Sequence, residues 1–138
     1  MTIRAEQWTP PNGPEPTALP MGRWWDAVRV EESVGERVLG ILGEQSGAVI
    51  KDRCSTLYWL IAPGTAVSWN LRGVCVLAET EGVATYLGVP PAERLTPPGT
   101  YWRVPFIRGR YLTDSHLLYK ALISVLLAEP GEGQEGDR

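Results

Sequence analysis

The chain has one histidine, two cysteines and no surplus of positive charge. A single histidine, His116, and a single cysteine pair, Cys54 and Cys75, give no cluster from which a structural or catalytic zinc site could be built. Two cysteines do not make a disulfide framework. Each lies beside apolar or β-prone residues, where a small residue in or near a core is expected, with a redox or nucleophilic role as the alternative. The net charge of −3 provides no overall positive field to draw in DNA or RNA, although a local basic patch is compatible with it. The longest apolar runs, such as Leu57 to Ala62, are too short to cross a bilayer. The first residues, MTIRAEQWTPPNGPEP, hold no apolar segment of the signal-peptide kind, so a cytoplasmic location with no membrane partner is expected. Neither a G-x-x-x-x-G-K-[ST] phosphate loop, a G-x-G-x-x-G turn nor a G-x-S-x-G elbow occurs.

What is present is enough for one domain. The 138 residues are 43% apolar and include six tryptophans, so one core can be buried. Residues 1–20 are rich in proline and read as a flexible arm, in which the isolated Trp8 either docks back onto the domain or belongs to a short recognition peptide. Residues 21–128 read as a single α+β domain and residues 129–138 as a disordered acidic tail. Arg23 to Val30 has strand character. Glu31 to Leu42 carries Val34, Val38, Leu39, Ile41 and Leu42 at helical spacing, weakened by Gly35 and Gly40 and ended by Gly43.

Strand signals follow at Ala48–Lys51, Thr56–Ile61, Val74–Ala78, Val83–Val89 and Tyr101–Pro105, separated by turns at Pro63-Gly64, Glu81-Gly82 and Pro97-Pro98-Gly99. Their spacing predicts a mixed or antiparallel sheet built largely from hairpins. Thr113 or Asp114 caps a last helix reaching Ala128, with a wide apolar stripe from Leu117 to Leu126. The expected fold is a two-layer α+β domain with one helix before most of the strands and one after them.

From Cys54 to Trp102 the chain reads Ser55-Thr56-Leu57-Tyr58-Trp59, Ala62-Pro63-Gly64, Leu71-Arg72-Gly73-Val74-Cys75-Val76-Leu77, Ala84-Thr85-Tyr86-Leu87-Gly88-Val89-Pro90-Pro91 and Gly99-Thr100-Tyr101-Trp102. In order and approximate spacing this resembles the second half of the bifunctional primase-polymerase domain of the archaeo-eukaryotic primase type, in a short form of actinobacterial style. The resemblance covers roughly a third of the chain. It implies a histidine on nucleotide phosphates where this sequence has Thr56, and a metal-holding aspartate where it has Cys75. The acidic residues nearest the family's upstream carboxylates are Asp26 and Asp52, in no D-x-D or D-x-E pair. Phosphoryl transfer needs metal ions held by carboxylates, and cysteine is a poor magnesium ligand. The expectation is therefore a catalytically inactive binding or regulatory module, without catalytic residues, metal ligands or cofactor.

Two groups are candidates for its binding face. Trp24, Trp59 and Trp69 are aromatic residues able to stack on bases or anchor a protein. Arg103, Arg108 and Arg110 form a short basic segment suited to phosphate. The expected partner is nucleic acid or a nucleotide. The alternative is a protein-protein interaction module or homodimeric adaptor using exposed Trp and Tyr and the proline-rich arm.

Overall fold

A computed structural model describes residues 8–81 and 83–128 of the chain. The elements run β1 (Thr17–Pro20), β2 (Asp26–Glu31), α1 (Glu32–Leu42), β3 (Val49–Lys51), β4 (Thr56–Ile61), β5 (Cys75–Leu77), β6 (Tyr86–Val89), β7 (Tyr101–Val104) and α2 (Ser115–Ala128). Five strands form one sheet in the order β5-β2-β4-β3-β7, and β1 and β6 form a separate two-stranded ribbon. Every strand pairing is antiparallel, so the fold is α+β as the pattern predicts. Among the described residues no helix is long and apolar enough to cross a membrane. The expected acidic tail, 129–138, lies outside the described residues.

The sheet is not built largely from hairpins. Only β3 and β4 are consecutive strands that pair directly; the other pairings bring together strands distant in sequence. The strand signals at 74–78 and 83–89 separate into different sheets, and the bridge between Thr80 and Val83 marks only the turn between them. β5 instead lies against β2, and β6 takes β1 as its partner.

Both helices cover one face of the five-stranded sheet. Alternation along the strands sends Val28, Val30, Leu57, Trp59 and Ile61 to that side, where they meet Val38 and Leu42 of α1 and Leu118, Leu122 and Val125 of α2. Gly35 is what lets α1 come close: a Cβ there would stand 2.5 Å from Cδ1 of the buried Leu57. The glycine that weakens the helix locally is thus a packing requirement. α2 begins at Asp114, whose Oδ1 accepts the Leu117 N–H at 3.0 Å. Thr113, the other candidate cap, instead ties two loops to the sheet. It is buried, its Oγ1 accepts the Gly47 N–H, and its own N–H donates to the Leu60 carbonyl.

The opposite face is covered too. Ala27, Ile50, Tyr58, Leu60 and Trp102 meet Leu87 and Val89 of the ribbon, together with Met21, Trp25 and Trp8. The helix-on-sheet layers are present as expected, with a further cover of ribbon and arm. Residues 8–20 therefore depart from the reading of a flexible arm. Thr17–Pro20 is β1, and Trp8 is 5% exposed, docked among Trp24, Trp25, Phe106 and Tyr111 at ring distances of 5.4–6.4 Å. The Arg94 guanidinium donates to the Pro14 carbonyl and ties the arm further.

Candidate functional site

The aromatic residues read as a binding face do not form one. Trp59 is fully buried on the helix side, and its indole N–H donates to Ser46 Oγ at 3.1 Å. It is a core residue because β4 is the central strand and both of its faces are covered. Trp24 is half-buried on the opposite side, near Trp8, with the Arg23 guanidinium 4.8 Å from its ring centroid. Trp69 packs against the helix-side core, 5.1 Å from Tyr119, and borders a polar cleft with Ser68, Ser115 and His116.

The basic segment is partly neutralised. Arg103 is held bidentately by Glu36 of α1, with Nε and Nη2 at 2.8 and 2.7 Å from the two carboxylate oxygens. That bond, more than any other effect, raises the Arg103 pKa. Lys51 and Glu32 repeat the arrangement one turn earlier on α1, at 2.7 Å. Their mutual hydrogen bond lowers the Glu32 pKa and raises that of Lys51. Arg110 donates to the Glu44 carbonyl, and Arg108 lies in the exposed turn beside Gly109.

A different constellation lies at one end of β2, β4 and β5. Arg29 stands opposite Cys75 on one side and Tyr58 on the other, and Glu31 stands opposite Thr56. These strand ends lie beyond the ribbon's cover, and Arg29 is the one exposed residue between buried neighbours on β2. A cleft of about 470 Å³ opens there, lined by Arg29, Glu31, Cys54, Thr56, Gly73 and Cys75 among others. Both cysteines are free and exposed, which corrects their placement in or near a core. The strand register puts Cys75 at the sheet edge, and a turn carries Cys54 outward.

Asp52 builds that turn. Its Oδ1 accepts the N–H groups of Cys54 and Thr56 at 2.9 and 3.1 Å, and its Oδ2 accepts the Tyr58 hydroxyl at 2.8 Å. Burial first, and this hydrogen bond second, push the Tyr58 pKa up to about 12. Asp26 is similarly committed: it is 1% exposed, and its Oδ2 accepts the Gly64 N–H at 2.8 Å. Its other oxygen has no hydrogen-bond partner, and burial is the leading cause of its raised pKa.

Thr56 and Cys75, the two positions singled out by the resemblance, thus line one cleft with Arg29 between their strands. The cleft does not fit the magnesium ion that the resemblance implies. Among its lining residues Glu31 is the one carboxylate, and Arg29 stands opposite Cys75 in the strand register. Among the described residues no three His, Cys, Asp or Glu side chains converge in a metal-binding group. The Pro-Pro and Tyr-Trp segments also meet, since the Trp102 indole N–H donates to the carbonyls of both Pro90 and Pro91 at 3.1 Å. Comparison of the chain with protein-family models, curated proteins and solved structures finds no match.

Sequence reasoning missed Arg29 and the shared cleft of the cysteines. The available signal was Arg29 itself, a charge flanked by Val28 and Val30 in the strand-like RWWDAVRV, which marks a position where the strand leaves its cover.

Proposed function

We propose that this chain is a non-catalytic binding or regulatory module with a primase-polymerase-like layout, and that its ligand is a nucleotide held by its phosphates in the Arg29 cleft. The observation that carries this reading is the meeting of Arg29, Thr56 and Cys75 in one cleft while Asp26 and Asp52 are both committed to backbone amides. A guanidinium binds phosphate through paired hydrogen bonds. Without carboxylates to hold a metal, the charge that develops during phosphoryl transfer goes unneutralised, so the bound nucleotide is held and not turned over. A nucleotide is favoured over a nucleic-acid strand because stacking along a strand needs exposed rings, and Trp25, Trp59 and Trp102 are buried.

Calorimetric titration with ATP and GTP, beside anisotropy with labelled single-stranded DNA, tests this at low and moderate salt. Saturable nucleotide binding is expected, lost in Arg29→Glu and kept in Arg108→Glu/Arg110→Glu. Binding of DNA alone, lost in the second variant, would move the site to the Arg103–Arg110 segment. The absence of any nucleotide binding would refute the reading.

The second reading is a protein-interaction module or homodimer. It is favoured by β5, which among the described residues pairs only with β2, and by the exposed Val83 and Tyr86 at and before β6. Light scattering across a concentration series separates the two.

A further inference from the structure

We propose that the Arg29 cleft is also a thiol-exchange site, in which Cys75 forms a mixed disulfide with an anionic low-molecular-weight disulfide and the adduct closes the cleft to its ligand. Thiol exchange stands on the cleft alone; the closure to ligand rests on the nucleotide reading above.

The chain's only two cysteines are both free, both exposed and both on the wall of this cleft. Reactive cysteines occupy partly exposed, electropositive surroundings, whereas structural ones are buried and inert. The surroundings of the two differ. Cys75 stands directly opposite Arg29 in the strand register, on β5 at the edge of the five-stranded sheet. Cys54 shares its turn with the Asp52 carboxylate. Although Arg53 adjoins Cys54 and Glu31 lines the cleft, Cys75 is the cysteine directly opposite Arg29 in the register, so an anionic reagent drawn to Arg29 meets Cys75 first. Cys75 is on β5 and Cys54 is in the turn before β4, with β2 between the two strands, and a direct Cys54–Cys75 bond is the competing outcome that the test below reads.

In the exchange the Cys75 Sγ, as thiolate, attacks one sulfur of the reagent. The Sγ–S bond forms as the reagent's S–S bond breaks, and the other half leaves as a thiolate that takes up the proton Cys75 released. The reagent is the oxidant: Cys75 is oxidised and the leaving half is reduced. The mixed disulfide then occupies the space beside Arg29.

The test treats the full chain with oxidised glutathione and follows the adducts by intact mass and peptide mapping. Expected is one adduct, at Cys75, forming about tenfold faster than at Cys54 and slowed about tenfold by Arg29→Gln, as electrostatic steering implies. The neutral reagent 2-hydroxyethyl disulfide loses that dependence on Arg29, and dithiothreitol reverses the adduct. Circular dichroism establishes that Arg29→Gln, Cys54→Ser and Cys75→Ser are folded. Equal rates at both cysteines, indifference to Arg29→Gln, or an intramolecular disulfide without adduct would overturn thiol exchange. Titrating the adducted chain with ATP then reads closure, with loss of binding expected and unchanged binding overturning it. If the unmodified chain binds no nucleotide, the nucleotide reading fails together with closure, while the adduct rates still decide thiol exchange.

Discussion

The two faces of the five-stranded sheet solve the same burial problem with different side chains. The helix side is mainly aliphatic, with valines, leucines and Ile61 around a single fully buried tryptophan, Trp59. The ribbon side is richer in aromatic residues, with Trp8, Trp25, Tyr58 and Trp102 among its aliphatic residues and Phe106 and Tyr111 at its margin. Helices present regular stripes that interlock with branched aliphatic residues from the strands. An arm, a short ribbon and loops present no such stripe. Large rings fill their irregular gaps, and polar edges of some rings reach backbone carbonyls, as Trp102 does at Pro90 and Pro91. Regular secondary structure thus covers a sheet through periodicity, and irregular chain covers one through a few large anchors.

The contrast can be tested one anchor at a time. Trp59→Ala should have the largest effect, costing about 3–5 kcal/mol in denaturant unfolding, because it leaves a cavity on the face that both helices cover. A loss below about 1 kcal/mol would show that the helix-side core repacks. Trp8→Ala should cost less, about 1–3 kcal/mol. Its damage should be local, with faster amide exchange through the arm and β1 and little change in α2. Uniform loosening would mean that the arm belongs to the same cooperative unit as the helices.

Gly35→Ala should cost about 1–2 kcal/mol, since overpacking against Leu57 outweighs the roughly 1 kcal/mol gained in helix propensity. A stabilised variant would show that α1 can move away from β4.

Asp26→Asn should have the smallest effect and the opposite sign. Burial raises the folded pKa of Asp26 above its ordinary value, so the folded state holds the proton more tightly than the unfolded chain does. The associated stability is present below the ordinary aspartate range and is lost as pH rises through the folded pKa. The asparagine keeps an acceptor for Gly64 without the charge. Thermal unfolding should therefore show a gain at pH 7 that fades toward acid, and a gain independent of pH would place its cause elsewhere.

The helix side was largely legible in the sequence. The 3.6-residue pattern of α2, its cap at Asp114 and the strand Thr56–Ile61 all depend on neighbours a few residues apart. The second covered face was legible only indirectly. Leu57 to Ala62 is an unbroken apolar run, and such a run signals a strand buried on both sides. Tyr58 and Trp59 do point to opposite faces, but leaving the helix side took Tyr58 into a second core, not into solvent. The candidate site was the least legible part. Its basic segment was visible as charge, but the pairing of Arg103 with Glu36 across 67 residues was not.

By itself, then, the sequence determined the position of most strands and of both helices, because periodicity, turn chemistry and capping act over a few residues. Only the tertiary structure decided which strands pair, that the arm closes the second face, and that Arg29, Cys54 and Cys75 share one cleft. Those outcomes depend on burial and backbone pairing between segments distant in the chain, and no local pattern encodes which distant partner will satisfy them.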